Sequence, residues 1–295
     1  MSQRRVSFFS DGLRLDGVLT APERQAENAR LPGVVICHGF TQHKEIFSLD
    51  YAAALAPYGY ACLSFDYRGF GGSEGPRGRL IPLEQVNDAR SAITWLQTQP
   101  EEVDPERIGL LGTSFGGAVA LHVAAHDPRV KALACFDAIG SGRSWLRGQR
   151  RHHEWVDFLK RLERDRRGRV LTGKSEYVDV GEINFYSPQS RAAHEQRQIA
   201  YPDWQSRLPL ETGDAVLEFN PEDDARRISP RPLLVVYDSN PYGHAGEQAL
   251  SIYAKAREPK ELVATPPSAY QYSHYQGEEL QYWIDIVGRW FQGHL

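Results

Sequence analysis

The sequence has little of what secreted and membrane-spanning proteins use. It contains only three cysteines, Cys37, Cys62 and Cys135, which fall in apolar segments and lack the spacing of a disulfide framework. No apolar run approaches the ~20 residues of a membrane span. Residues 1–9 also lack the apolar centre of a signal peptide. We therefore expect a cytoplasmic protein with reduced thiols and no membrane partner.

The chain also lacks an excess of positive charge. Its formal net charge is −4, which gives no general attraction to nucleic acid, so no nucleic-acid partner is expected. No Cys/His spacing resembles a zinc site, and we expect neither a metal nor a cofactor. The 295 residues, 41% hydrophobic and 24% charged, suit a globular protein with a full core.

Apolar runs of strand length alternate with amphipathic segments of helix length along most of the chain. This alternation is typical of an α/β protein whose largely parallel sheet is covered by helices on both faces. An opening hairpin around Asp11 precedes it. The predicted strands are 6–9, 13–19, 33–37, 61–65, 108–111, 130–136, 232–237 and 261–264, and the predicted helices outside the elbow are 49–58, 83–98, 245–256 and 278–291.

The alternation stops between residues 141 and 229. This stretch is rich in arginine and aromatic residues and has no clear buried strand, but segments such as 155–162 have helical spacing. We expect residues 1–140 and 230–295 to form the α/β core and residues 141–229 to form a helical cap over the active site.

Residues 112–116 read Gly-Thr-Ser-Phe-Gly, between an apolar strand and a helix-compatible segment. A Gly-x-Ser-x-Gly turn in this context is a nucleophile elbow, which exposes the serine hydroxyl on a strained turn. The alternative is a glycine-rich turn whose serine has no catalytic role. The pattern favours Ser114 as a nucleophile that attacks a carbonyl carbon.

Together with this elbow, His38-Gly39-Phe40 and Asp66-Tyr67-Arg68-Gly69-Phe70-Gly71-Gly72-Ser73 resemble the α/β-hydrolase fold family over nearly the whole chain outside 141–229. They look most like its dienelactone-hydrolase and acyl-peptidase-like branches. The resemblance implies a mostly parallel, doubly wound sheet with an inserted helical cap. It also implies that the backbone N–H groups of Phe40 and Phe115 form the oxyanion hole, although Phe40 could instead be a core aromatic.

In this family the catalytic base follows the last strand, which here indicates His274, with His244 as a second choice. His274 lies later in its loop than the family pattern has it, and an exposed loop histidine is the alternative. His38 is usually structural in the family.

The acid remains open between two strand ends. Asp137 ends the apolar strand after the elbow helix, and Asp238 ends the strand after that. Asn240, or no acid at all, is the third possibility.

These residues predict a serine hydrolase that cleaves an ester, lactone, thioester or amide of small or medium size through an acyl-enzyme. The partner is a small-molecule acyl substrate, and the aromatic cap offers a surface for a homodimer. The alternatives are an acyltransferase, carbon–carbon lyase or cyclase on the same fold, or a non-catalytic ligand-binding protein.

A basic cluster in the expected cap is interpreted as a solvated helix face, with an inward arginine clamp for a substrate anion as the alternative. Its members are Arg143, Arg147, Arg150, Arg151, Lys160, Arg161, Arg164, Arg166, Arg167 and Arg169. Aromatic residues that could line a pocket there are Trp145, Trp155, Tyr177, Phe185, Tyr186, Tyr201 and Trp204.

Overall fold

The structure is a computed structural model, and it describes residues 1–23, 30–184, 188–240, 245–268 and 277–295. No helix in these ranges is both long enough and apolar enough to cross a lipid bilayer.

One eight-stranded sheet forms the centre of the molecule. Its strands are β1 (Ser2–Ser10), β2 (Leu13–Ala21), β3 (Leu31–Cys37), β4 (Ala61–Phe65), β5 (Val103–Thr113), β6 (Val130–Phe136), β9 (Leu233–Asp238) and β10 (Lys260–Thr265). Their order in the sheet is β1-β2-β4-β3-β5-β6-β9-β10. The first two strands form an antiparallel hairpin, β2 pairs antiparallel with β4, and the other neighbours are parallel. This confirms the predicted α/β class.

Helices lie between the parallel strands and cover the sheet, because a strand that is apolar on both sides needs a covering layer on each face. The helices of this core are α1 (Ser48–Leu55), α2 (Pro82–Gln97), α3 (Phe115–His126), α9 (Ala245–Lys255) and α10 (Gly277–Gln292). A short 3₁₀ helix, Ala56–Tyr58, continues α1, so the single helix predicted over 49–58 has a tighter last turn.

Residues 141–229 contribute no strand to the eight-stranded sheet in the parts that the structure describes. They contain helices and one small antiparallel pair of strands, which the sequence pattern did not indicate because each strand has only three residues. The elements are α4 (Gly142–Gly148), α5 (His152–Thr172), β7 (Tyr177–Asp179), α6 (Val180–Ile183), α7 (Pro188–Ala200), β8 (Arg207–Pro209), α8 (Glu211–Glu218) and the 3₁₀ helix Pro221–Arg227.

The register of the parallel strands brings several chain segments to one edge. In β5, Gly112 lies beside Cys37 of β3 on one side and beside Cys135 of β6 on the other. The residues that follow these three strands therefore emerge together at the carboxyl edge of the sheet. That edge is where open α/β sheets place their ligands.

Candidate active site

Ser114 lies in a sharp turn between β5 and α3. Its backbone has φ 52° and ψ −122°, a combination that non-glycine residues rarely adopt. The surrounding backbone holds the turn: Ser114 N–H donates to the Phe136 carbonyl (2.9 Å), and the Ser114 carbonyl accepts from Gly117 N–H (3.0 Å) and Ile139 N–H (3.2 Å). This is the geometry of a nucleophile elbow.

The glycines of the turn are required by close packing. A Cβ atom on Gly116 would lie 2.0 Å from the Cys37 carbonyl oxygen and 2.4 Å from that of His38. One on Gly112 would lie 2.6 Å from Gly117 Cα. The elbow therefore packs directly against the end of β3, backbone against backbone, and no side chain fits between them.

The two predicted oxyanion-hole residues lie on either side of this contact. Phe115 is the first residue of α3, where helical backbone N–H groups have no intrahelical acceptor. Phe40 follows β3, and its ring meets the Phe115 ring edge-on with centroids 5.5 Å apart. Neither backbone N–H donates a hydrogen bond to any acceptor in the described parts of the chain. Both rings are also buried, so Phe40 is a core aromatic as well as a candidate donor.

A buried ion pair supports the loop that carries Phe40. Lys44 Nζ lies 2.7 Å from Asp66 Oδ2, and the Lys44 backbone N–H donates to Asp66 Oδ1 (2.6 Å). Gly72 N–H donates to the same carboxylate at 2.8 Å. Asp66 thus ties the loop after β3 to the loop after β4, which gives the Asp66–Ser73 segment a structural role.

His38 is buried beside the elbow but does not have the properties of a catalytic base. Its Nδ1 lies 3.1 Å from the Gly39 carbonyl, and its ring packs edge-on against Tyr67. Burial lowers the pKa of His38 to about 3, so the imidazole is neutral at physiological pH. It is a packed, uncharged core histidine.

Both candidate acids lie at the carboxyl edge of the sheet and are buried. Asp137 directly follows β6, has φ 50°, and accepts the Asp238 N–H on Oδ1 at 2.8 Å. Asp238 ends β9, and its Oδ1 accepts the backbone N–H groups of Asn240 and Ser268, each at 3.0 Å. The two residues are therefore neighbours, and the Asp238 carboxylate also links the loops after β9 and β10.

The candidate bases His274 and His244 lie outside the described residues. Asn240, the third possibility at the acid position, is half-buried, and its Nδ2 lies 3.4 Å from Ser268 Oγ.

The three cysteines do not have the properties of nucleophiles. All are fully buried and free of disulfides. Burial raises the pKa of Cys37 to about 12 and also raises the pKa values of Cys62 and Cys135. A thiol must lose its proton to attack, and these three keep it at neutral pH.

Comparison with known proteins gives a consistent result. The profile described as X-Pro dipeptidyl-peptidase (S15 family) matches residues 11–268. The chain belongs to this family. It is an α/β hydrolase.

Individual relatives cover most of this α/β hydrolase. An Escherichia coli protein described as an uncharacterized 31.7 kDa protein in the traX–finO intergenic region is 32% identical over 269 residues, 91% of this chain and 93% of the relative. Thiohydrolase aneE of Aspergillus aculeatus is 29% identical and covers 77% of this chain, with 74% of its own length matched. Polyketide transferase grgF of a Penicillium species is 29% identical over 85% of this chain and 83% of its own.

A solved structure has the same fold along the entire chain. The crystal structure of the hypothetical protein PA2218 from Pseudomonas aeruginosa superposes with a TM-score of 0.86 at 26% identity, and the match covers 100% of this chain and 94% of that one.

In this α/β hydrolase, residues 141–229 contact both sides of the proposed oxyanion hole. The Trp145 ring lies 5.4 Å from the Phe40 ring and 5.8 Å from the Phe115 ring, measured between centroids. Phe219 packs on Phe115 at 6.2 Å. Trp204 Nε1 donates to the Thr41 carbonyl at 2.8 Å. The site is thus bordered by an apolar group of rings, among which Phe219 was not singled out from the sequence because an isolated aromatic residue carries no local pattern.

The basic cluster largely forms ion pairs on the surface, as a solvated helix face does. Arg161 pairs with Glu176 and Glu182, Arg167 pairs with Glu163, and Arg166 and Arg169 pair with Asp214. The pairs of Arg161, Arg166 and Arg169 join α5 to neighbouring parts of residues 141–229. One member of the cluster is buried instead.

That member is Arg150, which is only 6% exposed. Its guanidinium donates to the carbonyls of Leu146, Glu182 and Ile183 at 2.6–2.9 Å and lies over the Phe158 ring. Burial lowers the pKa of Arg150 to about 10. Because its guanidinium donates to three backbone carbonyls, Arg150 helps to hold residues 141–229 together.

A cavity of about 700 Å³ lies within the insertion, lined by residues of α5, α6 and α7 and by side chains of both charges. None of its lining residues belongs to the elbow or to the loop after β3. It is therefore separate from Ser114. Its lining includes Arg150, Phe158, Arg161, Arg191, His194 and Trp204.

Proposed function

We propose that this α/β hydrolase is a serine hydrolase in which Ser114 forms an acyl-enzyme with an ester, thioester, lactone or amide substrate. The observation that carries the proposal is the strained backbone of Ser114 at the start of α3. Strain at a non-glycine residue persists only where the surrounding structure holds it, and such residues cluster at active sites.

The proposed chemistry proceeds in two steps. Ser114 Oγ attacks the carbonyl carbon while His274 takes the hydroxyl proton, and His274 then returns that proton to the departing alcohol, thiol or amine. In the second step a water molecule, deprotonated by His274, releases the acid and restores Ser114. Asp137 or Asp238 orients the imidazole and stabilises its charged form.

The backbone N–H groups of Phe40 and Phe115 are proposed to stabilise the oxyanion of both steps. Each such donor contributes on the order of 3 kcal/mol to the transition state in comparable enzymes. The tight contact of Gly116 with the end of β3 keeps these two backbone segments adjacent before substrate arrives. A preset donor pair needs no reorganisation during the reaction.

We further propose that residues 141–229 act as a cap and that the substrate acyl group is partly apolar. The rings of Phe40, Phe115, Trp145 and Phe219 provide an apolar surface next to the elbow. The relatives named thiohydrolase and polyketide transferase support an acyl thioester as the first substrate class to examine.

Labelling with a fluorophosphonate probe tests the nucleophile. Wild-type protein should be labelled, and Ser114→Ala should lose labelling and at least about 10⁴-fold in the rate of thioester or activated-ester hydrolysis. Ser91→Ala is a matched control, since Ser91 is a half-buried residue of helix α2 that belongs neither to the elbow nor to the loop after β3, and it should behave as wild type. Undiminished labelling of Ser114→Ala would show that another group is the nucleophile.

A substrate panel tests the acyl class. Medium-chain acyl thioesters and esters should be cleaved faster than an Xaa-Pro anilide, the substrate type named in the family description. Faster cleavage of the Xaa-Pro anilide would overturn the thioester proposal and leave the serine mechanism intact.

Acyl transfer is a second candidate because grgF is named as a transferase. Adding acceptor alcohols or amines to a thioester assay separates the two outcomes. Hydrolysis predicts that free acid stays the main product as the acceptor concentration rises, whereas transfer predicts that the acylated acceptor replaces it.

A further inference from the structure

Two histidines and one aspartate meet on the side of α3 that leads away from Ser114. His122 and His126 are one helical turn apart, so their side chains lie on the same face of α3. Asp224, from the 3₁₀ helix Pro221–Arg227, faces them. Its Oδ2 lies 3.5 Å from His122 Nδ1 and 3.7 Å from His126 Nε2.

One ring nitrogen from each imidazole and one carboxylate oxygen all lie within 4.8 Å of one another. A tetrahedral ion with bonds of 2.0–2.1 Å would separate its ligands by about 3.4 Å. The two distances to Asp224 are close to that edge length. An ion could therefore be held by small side-chain movements without any shift of the backbone.

The hydrogen bonding of His126 suits it for metal binding. Its Nδ1 lies 2.9 Å from the His122 carbonyl oxygen, so Nδ1 carries the proton and donates it. Nε2 is then left with its lone pair directed at Asp224. Metal-binding histidines are oriented in this same way, by a carbonyl or carboxylate that accepts from the other ring nitrogen.

Other side chains border this group. The Phe219 ring packs beside the His122 ring, with centroids 5.5 Å apart. The positive charges of Arg90 and Arg227 act on His122 and oppose a bound cation. Arg227 Nε pairs with Asp224 Oδ1 at 3.2 Å, which leaves Oδ2 for the two histidines.

A second group of similar composition, His43, Glu45 and Asp66, lacks this property. The Lys44 ammonium lies between its carboxylates, 2.9 Å from Glu45 and 2.7 Å from Asp66. A cation already neutralises them. Of the two groups found in the described residues, only that on α3 has its ligand atoms facing one another without an intervening lysine.

We propose that His122 Nδ1, His126 Nε2 and Asp224 Oδ2 form a divalent metal site selective for zinc over magnesium and calcium. Imidazole nitrogens with one carboxylate oxygen are typical ligands of Zn²⁺ and related first-row ions, whereas Mg²⁺ and Ca²⁺ prefer oxygen alone. All three side chains are partly exposed, so water completes the coordination. The ion joins the helix that follows the nucleophile to the segment that leads from residues 141–229 into β9.

Calorimetric titration of chelator-treated protein with zinc chloride tests this site. Wild type should bind one Zn²⁺ that is lost in His126→Gln and Asp224→Asn, with affinity reduced at least about 100-fold, the upper end of the loss seen for outer-shell partners. Cobalt(II) should give visible absorption bands in wild type only. Zinc should also raise the melting temperature of wild type but not that of the variants, since it binds the folded form.

His294→Gln is the matched control for a lone helical histidine. His294 Nδ1 also lies near the carbonyl four residues earlier, 2.7 Å from Trp290 O, but His294 belongs to neither cluster of the described residues. This variant should bind zinc as wild type does. The proposal is overturned if wild type shows no saturable one-to-one binding, or if both His126→Gln and Asp224→Asn bind zinc as tightly as wild type. Asp224→Asn keeps the shape of the side chain and should fold. If His126→Gln fails to fold, the zinc affinity of Asp224→Asn alone decides the test.

Discussion

Helix α3, which follows Ser114, buries ten of its 12 residues, whereas the 21-residue helix α5 of the insertion buries only four. The first packs its backbone directly against the sheet, since a Cβ atom on Gly116 would lie 2.0 Å from the Cys37 carbonyl oxygen. The second is anchored by a few apolar residues and by ion pairs such as that between Arg169 and Asp214 of α8. The elbow region therefore tolerates almost no change in shape, and the surface of the insertion tolerates many.

This difference fits the separate roles proposed for the two regions, catalysis at the elbow and covering of the site by residues 141–229. Covalent chemistry requires atoms placed to a fraction of an ångström, which close packing in a parallel sheet supplies. The proposed cap requires only a stable frame, and its exposed charged pairs contribute little to stability individually.

The largest expected difference between the two regions is the effect on stability of one added methyl group. Gly116→Ala forces a Cβ into two carbonyl oxygens, and we expect a loss of more than about 4 kcal/mol in the free energy of unfolding, with loss of activity. Gly168→Ala in α5 meets nothing within 4 Å and should stabilise the protein by about 0.5–1 kcal/mol.

Denaturant unfolding of the two alanine variants measures this contrast. Equal stability of Gly116→Ala and wild type would show that the elbow can relax away from the end of β3. Gly168→Ala controls for the general effect of a glycine-to-alanine change in a helix.

Within residues 141–229, the buried Arg150 and the exposed Arg167 should differ in how much each contributes to stability. Arg150→Met removes the Arg150 donor from the buried Ile183 carbonyl and from the partly buried Glu182 carbonyl, and it should cost about 2–3 kcal/mol in the free energy of unfolding. Arg167→Met removes an exposed pair one helical turn apart and should cost less than about 0.5 kcal/mol. Thermal unfolding of both variants checks this. A small effect at Arg150 would mean that water reaches those carbonyls.

Much of this architecture was predictable from the sequence, because the continuous apolar runs have no other stable arrangement. Strands β4 and β6 have the predicted bounds, and the opening hairpin turns at Asp11 and Gly12 as expected. The elbow was predictable too, since Gly112 and Gly116 are needed for local contacts. The three-residue strands β7 and β8 were not, because so short a segment carries no periodicity.

Clusters of side chains that come together only in the tertiary fold were harder to predict from the sequence. Sequence order cannot choose between Asp137 and Asp238, since parallel strands bring both carboxylates to one edge. The His122–His126 spacing was visible in the sequence, but Asp224 joins it from a distant segment. The expectation of no metal site was based on local Cys/His spacing, which does not extend to a residue so far along the chain.

The smallest expected effect is the difference in stability between two substitutions of Ser114, which measures the backbone strain at that residue. Ser114→Gly and Ser114→Ala both remove the hydroxyl, but only glycine adopts φ 52° and ψ −122° without steric cost. Such strain is worth about 1–3 kcal/mol, which exceeds the 0.5–1 kcal/mol that glycine usually costs through the unfolded chain. We expect Ser114→Gly to be more stable than Ser114→Ala by about 1 kcal/mol, measured by denaturant unfolding.

The same pair at Ser91, inside helix α2, should give the opposite order, with glycine about 1 kcal/mol less stable than alanine. Opposite signs at the two serines would show that the backbone of the elbow is held under strain by its surroundings. The same sign at both would mean that the turn relaxes when the side chain changes, and that the surrounding backbone does not preset the position of the Ser114 hydroxyl.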